Sequence, residues 1–514
     1  MDVGLVITFV VALQLAVIFG FVLLERREPQ ATLAWILGVV LVPVLGVFTY
    51  LLLGLSRSVK RHRAAARVVA RTREVFGRWE VARKARGRGT ARRPQRTRAL
   101  TTLAERTSDA HACPGNRVAI LIDAAQTYEA MRAAIAAARH HVHVEFYIIQ
   151  PDDSGRQLRD QLVERAKAGV QIRVLCDALG SMRLPSDFWD PLVAAGGRAA
   201  YFGRIRLAPL VRRRDHVNFR NHRKIIIVDG LIGLTGGINI GREYLGLDPA
   251  FGAWRDTHLR IEGPATLGLQ QTFVEDWLVT TGEILDGAPY FPEPVALPVS
   301  RETERPRVEH SEWEAAPDVR PLTTATAEAP GGDTIVQCVA SGPDRPWAVI
   351  HQMYALGIAY AERRVWATSP YFVPDRVMQM ALVTAALRGV DVRLLVPKRS
   401  DSRLVDLASR YYFPELLEAG VRIFEYGAGF LHAKSLVVDD WLAAIGSSNM
   451  DIRSFQLNYE LSAFVYDRRV TEVLASQFEA DLARAQEVPK GWAKRLSYGR
   501  RLLHAAAGLL SPLL

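Results

Sequence analysis

The sequence predicts an α/β protein made of two duplicated lobes, each a mixed sheet flanked by helices, preceded by an N-terminal two-helix transmembrane hairpin. Three observations predict it. One stretch occurs twice, as N-H-R-K-I-I-I-V-D-G-L-I-G-L-T-G-G-I-N from Asn221 and L-H-A-K-S-L-V-V-D-D-W-L-A-A-I-G-S-S-N from Leu431. Both copies obey H-x-K-x4-D-x6-G-[GS]-x-N, and His222/His432, Lys224/Lys434, Asp229/Asp439 and Asn239/Asn449 are each 210 residues apart. The text around the motifs also runs in parallel, strand alternating with helix, which implies mixed or mainly parallel sheets covered by helices. Two long apolar runs precede everything else.

Val3 to Leu24 is almost wholly apolar, and Ala31 to Leu55 is apolar again after E-R-R-E-P-Q. Each run is long enough for a hydrocarbon core of about 30 Å at about 1.5 Å per residue. A cleaved signal peptide is the other reading of the first run; it has no positive n-region, and a second full run follows at once. Pro43 and Gly46 are tolerable inside a span. Only Arg26 and Arg27 lie in the loop, while Arg57, Lys60, Arg61, Arg63, Arg67, Arg71 and Arg73 follow the second run. That bias puts the N-terminus and the catalytic body on the cytoplasmic side.

These features divide the chain into a hairpin (1–56), a basic juxtamembrane linker (57–115), a first lobe (116–288), an interlobe linker (289–333), a second lobe (334–488) and a basic, apolar tail (489–514). Arg57 to Arg98 carries only Glu74 and Glu80 as acids, and suits either a solvated linker or an electrostatic clamp on anionic lipid. In the lobes, G-V-Q-I-R-V-L matches G-V-D-V-R-L-L, and A-G-G-R-A-A-Y-F from Ala195 matches A-G-V-R-I-F-E-Y from Ala419. A helix with F-x-x-D closes each copy, at Phe273 to Asp276 and Phe478 to Asp481. Pro289 to Asp333 is rich in Pro, Glu and Thr without periodicity. In the tail, Lys494, Arg495, Arg500 and Arg501 interleave with Leu496, Tyr498, Leu502 and Leu503, which fits an interfacial amphipathic segment or a core-packing helix equally. The net charge of +11 over 514 residues points to an anionic partner. Cys113, Cys176 and Cys338 lie far apart, so neither a zinc site nor a disulfide framework is indicated.

The doubled motif carries the chemistry. A phosphodiester is anionic and resists attack by a hydroxyl, so splitting its transfer into two displacements helps. One neutral imidazole can attack phosphorus while a second protonates the departing alcohol and later deprotonates the incoming one, since histidine titrates at about 6.5. Side chains two apart on a strand share a face, so His222 and Lys224 point one way, as do His432 and Lys434. The lysines, with Asn239 and Asn449, suit the non-bridging oxygens. Gly236, Gly237 and Gly446 are expected to let backbone approach the phosphate. Asp229 and Asp439 belong to the motif but are expected to brace the following turn. Asp256 and Glu460 open the strand after each motif and are assigned as the carboxylates that orient the histidines, with the pairing left open.

The pair of motifs resembles the HKD signature of the phospholipase D superfamily, and its surroundings resemble the bacterial cardiolipin synthases. The resemblance rests on P-Q-A-T-L-A-W-I-L in the hairpin, H-V-H-V-E-F-Y-I from His141, W-R-D-T-H-L-R-I-E-G-P, S-P-Y-F-V-P-D from Ser369 and G-S-S-N-M-D-I-R-S-F-Q-L-N-Y-E-L from Gly446. It implies phosphatidyl transfer between two phosphatidylglycerols through a phosphohistidine, with glycerol released and no metal or other cofactor. It also implies a multi-pass protein of the bacterial plasma membrane that works on an anionic lipid surface, with no nucleic acid as partner. His222 is the expected nucleophile and His432 the general acid and base, although the near-symmetry permits the reverse. A phospholipase D-type hydrolase or transphosphatidylase on other phospholipids has the same residues. A nuclease-type phosphodiesterase and a non-catalytic membrane scaffold are the remaining alternatives.

Overall fold

The computed structural model describes residues 3–22, 29–50, 70, 73–78, 81, 94–203, 219–292 and 334–511. Most of the arginine-rich stretch, residues 204–218, residues 293–333 and the last three residues therefore lie outside the described residues.

The N-terminal unit is helical, as its composition demands, but not as two unbroken spans. Val3–Val17 is α-helical and gives way to a π-helical turn at Ile18–Val22; Pro29–Leu41 is followed, after a break at Val42, by Pro43–Thr49. Pro43 lacks a backbone N–H and so begins a new helix rather than continuing the old one. Among the described residues no helix is long and apolar enough to cross a membrane. The segments nevertheless pack: Ile18, Val22, Val39, Val47 and Tyr50 form a small core, and Gln14 Nε2 donates to the carbonyl of Val39 at 2.6 Å. Leu5, Ile7, Phe9, Leu33, Leu37 and Phe48 are exposed around it.

Among the described residues the body is built on one fifteen-stranded mixed sheet and two separate two-stranded ladders. In chain order its first half supplies β1 (Cys113–Ile122), β2 (His141–Phe146), β3 (Gln171–Asp177), β4 (Arg198–Phe202), β5 (Lys224–Val228), β6 (Ile232–Gly236), a short β7 (Trp254–Arg255) and β8 (Thr257–Glu262). The second half supplies β9 (Thr334–Ser341), β10 (Arg364–Thr368), β11 (Phe372–Val373), β12 (Asp391–Pro397), β13 (Arg422–Tyr426), β14 (Phe430–Leu431), β15 (Ser435–Val438), β16 (Leu442–Gly446), β17 (Met450–Asp451), β18 (Glu460–Tyr466) and β19 (Ala485–Glu487). The order β1-β8-β6-β5-β2-β3-β4 reappears as β9-β18-β16-β15-β10-β12-β13, with β19 at the edge. The two halves join where β1 pairs antiparallel with β9. The strands β2, β3 and β4 are parallel, as are β10, β12 and β13, and each set is completed antiparallel by its motif strand.

The motif strands read K-I-I-I-V and S-L-V-V and are buried along their whole length, as strands covered on both faces must be. One large core fills the second half, from Val349 and Met353 to Val438, Leu442 and Phe464. That core also takes Leu100 and Ala104 from the helix Gln95–Ser108, and Gln337 Nε2 donates to the carbonyls of Thr101 and Ala110. Residues 94–115, assigned from sequence to the linker, are thus part of the folded body. The arginines hid an apolar face of period near 3.6 inside a charged run. Tyr290 and Phe291, assigned to the interlobe linker, likewise pack with the first half, Tyr290 hydrogen-bonding Gln171 at 2.7 Å.

Asp229 and Asp439 sit at the far end of the motif strands, about 20 Å along the chain from the histidines at about 3.3 Å per residue. Both adopt left-handed backbone (φ 54° and 50°) at the turn after the strand. Asp229 accepts from the backbone N–H groups of Arg139, His140 and His141, each at 2.8 Å. Asp439 accepts from Glu362, Arg363 and Arg364 at 3.1, 2.7 and 3.0 Å. Counted with the catalytic set because they complete the motif, they are located where they tie a turn to the start of the neighbouring strand. Replacing Asp439 by alanine strands three backbone donors and is expected to destabilise the body by about 2–4 kcal/mol. Chemical denaturation of the full chain checks this, with turnover per folded molecule expected to hold.

Candidate active site

The two histidines are held by carboxylates of the opposite halves. Nδ1 of His222 lies 3.0 and 3.1 Å from the two oxygens of Glu460. Nδ1 of His432 lies 2.8 Å from Oδ2 of Asp256. The backbone enforces this exchange. The N–H of His222 donates to the carbonyl of Tyr459, and that of His432 to the carbonyl of Arg255, so each motif runs beside the residue preceding its carboxylate. At His432 the pairing continues as a parallel β14–β7 ladder.

Each carboxylate accepts from Nδ1, which leaves Nε2 as the basic nitrogen. Burial alone would raise Glu460, but the His222 ring and its hydrogen bonds bring its carboxyl below the usual value. Burial would likewise raise Asp256, and Lys434 and His432 bring it down. Both are therefore anions. The imidazoles shift the other way. Burial lowers His222, aided by Lys224 and opposed by Glu460. Burial and Lys434 push His432 down to about 3. Both rings are neutral near neutral pH, the state a nitrogen nucleophile requires.

Lys224 and Lys434 are almost completely buried, and each ammonium bonds back to the carbonyl of its own histidine, Lys224 at 2.6 Å. Burial holds Lys224 well below the usual lysine value, with Lys434 adding to the effect, and holds Lys434 at about 8. Nζ of Lys434 also lies 2.9 Å from Nδ1 of His432; since that nitrogen's hydrogen serves Asp256, the lysine is an electrostatic neighbour there rather than a donor. Aromatic rings wall the site: Tyr147 lies edge-on to His222 at 5.0 Å, with Trp254 and Tyr371 at 5.3 and 6.3 Å from His432.

Asn239 and Asn449 are buried and engaged with protein. Asn239 Nδ2 donates to the Tyr244 hydroxyl at 2.9 Å while its Oδ1 accepts from Ile148 N at 3.2 Å. Asn449 Nδ2 donates to Asp451 at 3.2 Å. The motif glycines act differently from the sequence expectation. A Cβ on Gly237 would stand 2.1 Å from Asp256 Oδ1, and one on Gly446 2.3 Å from the carbonyl of Leu461. They clear space for the carboxylate and its strand, not for a phosphate. In the second copy, Ser447 takes the place of Gly237 and donates its hydroxyl to Glu460.

Two residues escaped the sequence reading. Arg223, the middle residue of H-R-K, donates to the carbonyls of Glu460 and Ser341, both at 3.2 Å, and pairs with Asp276. Arg255, which precedes Asp256, donates to the Asp256 carbonyl and is gripped by Asp481 at 2.9 and 3.0 Å. The repeated F-x-x-D thus supplies a buried anchor for each arginine, and each arginine pins the main chain at one carboxylate. The F-x-x-D repeat was visible in the sequence; its arginine partners were not. Among the described residues no group of His, Cys, Asp and Glu could hold a metal ion.

A duplicated α/β sheet presenting two histidine–carboxylate pairs and two buried lysines is the arrangement a phosphodiester-transferring enzyme of the two-histidine type requires. The family model described as "Cardiolipin synthase, PLD-like domain" matches residues 131–277 and 356–482, and one described as "Phospholipase_D-nuclease N-terminal" matches residues 9–54. The chain is 38% identical over 512 residues to a cardiolipin synthase of Alkalihalophilus pseudofirmus, covering 99% of this chain and 94% of that one. It is 39% identical over 513 residues to a cardiolipin synthase of Geobacillus thermodenitrificans, covering 98% and 94%. The phosphatidylserine synthase of Haemophilus influenzae shares the fold, with a TM-score of 0.56 at 15% identity over 82% of this chain and 100% of that one. The chain belongs to the cardiolipin synthases of the phospholipase D-like superfamily, and its enzyme class is that of a phosphatidyltransferase.

Two outcomes follow from this geometry. Glu460→Gln and Asp256→Asn keep the shape but lose the anion, and each is expected to lower turnover about a hundredfold, measured against an unchanged unfolding midpoint. Lys434 is charged below about 8 and neutral above it. The attraction for a phosphodiester is therefore present at lower pH and lost as pH rises through that value. A kcat/KM profile falling above about pH 8, with KM rising before kcat falls, checks it.

Proposed function

We propose that this enzyme joins two phosphatidylglycerols into cardiolipin and glycerol by two displacements at one phosphorus. The observation that carries the reading is the crossed pairing of His222 with Glu460 and His432 with Asp256. Nε2 of His222 attacks the phosphorus of the first lipid. The P–O bond to its glycerol head group breaks, and the leaving oxygen takes a proton from His432. The head-group hydroxyl of a second phosphatidylglycerol then gives its proton back to His432 and attacks the phosphatidyl-histidine, restoring His222. One phosphodiester is broken and one formed, so no nucleotide or metal is required.

Lys224 and Lys434 neutralise the non-bridging oxygens. One amide hydrogen of each Nδ2 of Asn239 and Asn449 is already used, and the other serves a phosphate oxygen. Burial is the main cause that depresses both imidazoles and the lysine charges add to it, so an anion between the lysines raises the proton affinity of His432, which enters the first displacement protonated on Nε2. Asp229 and Asp439 take no part in the displacements and brace the turns that follow the motif strands. The apolar N-terminal unit anchors the enzyme in a bacterial plasma membrane, with the catalytic body on the cytoplasmic face. The bilayer supplies the second lipid and limits access of water, which would otherwise yield phosphatidic acid.

Full-length protein in phosphatidylglycerol vesicles, with lipids separated and glycerol measured, tests this. Cardiolipin and glycerol are expected in equal amounts, and His222→Ala or His432→Ala is expected to cut the rate by about 10⁴ or more. Phosphatidic acid as the main product would mean a hydrolase. Mass spectrometry of acid-sparing digests of His432→Ala is expected to find the phosphatidyl group on His222; finding it on His432 in His222→Ala alone would reverse the two roles.

A further inference from the structure

The C-terminal helix, which the reaction does not use, presents an apolar face outward. Tyr498–Leu509 is capped by the Ser497 hydroxyl and lies against the helix Arg403–Ala419. Its inner side is tied down: His504 and Ala507 are buried, and the His504 ring stacks on Trp492 at 5.6 Å. A Cβ on Gly508 would strike the Tyr411 ring at 2.6 Å. At about 100° per residue, the side away from that contact carries Tyr498, Leu502, Leu503, Leu509 and Leu510. These are 83%, 59%, 51%, 83% and 41% exposed. A water-facing helix normally shows polar side chains there. Arg501 sits at the margin of the inner side, Arg500 is exposed in the first turn on that side, and Lys494 and Arg495 lie just before the helix. Between residues 488 and 511 there are basic residues but no acidic one.

The helix is also joined to the active site. Ala507 packs with Val373 and Ala408. Val373 follows Tyr371 by two residues, and Tyr371 stands 6.3 Å from His432. The Tyr371 hydroxyl bonds Asp401 at 2.8 Å, at the turn leading into the helix Arg403–Ala419.

We propose that this helix lies in the surface of an anionic phospholipid bilayer, its leucines among the acyl chains and its arginines at the phosphates, and thereby holds the mouth at Tyr371 against the lipid. The proposal rests on the reading of the substrate as a bilayer lipid. The occupant is a bilayer rather than a protein because an apolar helix face whose own flanking charges are all basic complements an anionic interface.

The three cysteines are buried, so Leu502→Cys can be labelled selectively with an environment-sensitive fluorophore. The labelled full chain, reconstituted in vesicles of phosphatidylglycerol and phosphatidylcholine, is expected to be quenched by nitroxide-bearing lipid and shielded from iodide. Iodide access without lipid quenching overturns the proposal, as does shielding from both, which would mean that a second copy or another protein covers the face. Leu502→Asp/Leu509→Asp is expected to slow turnover of vesicle phosphatidylglycerol about tenfold, the scale of one or two leucines withdrawn from apolar surroundings. Turnover of water-soluble short-chain phosphatidylglycerol should hold, which also shows that the variant folds; equal loss on both substrates overturns the proposal. The quenching result does not depend on turnover. A wild-type enzyme that makes no cardiolipin would therefore sink the functional reading while leaving the docking measurement intact.

Discussion

The exchange of carboxylates between halves is the constraint on which the rest depends. A histidine from one half reaches Glu460 or Asp256 of the other, so neither half has a complete catalytic pair. The exchange requires the halves to meet in a fixed register. That register is supplied by the shared sheet through β1 and β9, and by the short backbone contacts at Tyr459 and Arg255. The buried arginines extend the constraint inward. Arg223 and Arg255 hold the carbonyls of the carboxylate residues themselves, and Asp276 and Asp481 hold the arginines. Such buried ion pairs are costly to assemble, and they yield geometry rather than net stability.

Electrostatics follow from the same closure. Four ionisable groups of the motifs and two carboxylates are taken out of water together. The carboxylates stay anionic because each has a ring N–H and an ammonium beside it. The lysines are held below their usual values because burial costs more than those anions return. An aromatic and apolar wall of Tyr147, Trp254 and Tyr371 keeps the surroundings dry enough for these charges to count.

Much of the site was legible because chemistry needs fixed residue types at fixed spacings. H-x-K was expected on a strand, but the strands begin only at Lys224 and Ser435, so the histidines lie in the extended chain just before them. A histidine needs an acid partner, and Asp256 and Glu460 could be chosen for that before any fold was known. The turn aspartates were legible too, since four strand residues separate them from the lysines. Other roles were hidden because they depend on what lies opposite. Gly237 and Gly446 looked like phosphate-facing glycines until the neighbouring strand filled the space. The helix Gln95–Ser108 looked like linker because its arginines outnumbered the few apolar residues that reach the core. The apolar N-terminus announced helices, but hydropathy does not register a π-turn at Ile18 or a break at Val42.

By itself, the sequence determined the duplication, the paired motifs and the family with its lipid chemistry, because those reside in residue identity and in spacing along one chain. Only the tertiary structure decided which carboxylate serves which histidine, where the arginine anchors lie, and that both halves share one sheet. These are relations between segments some 200 residues apart, and a one-dimensional pattern carries no record of which faces meet once the chain has closed.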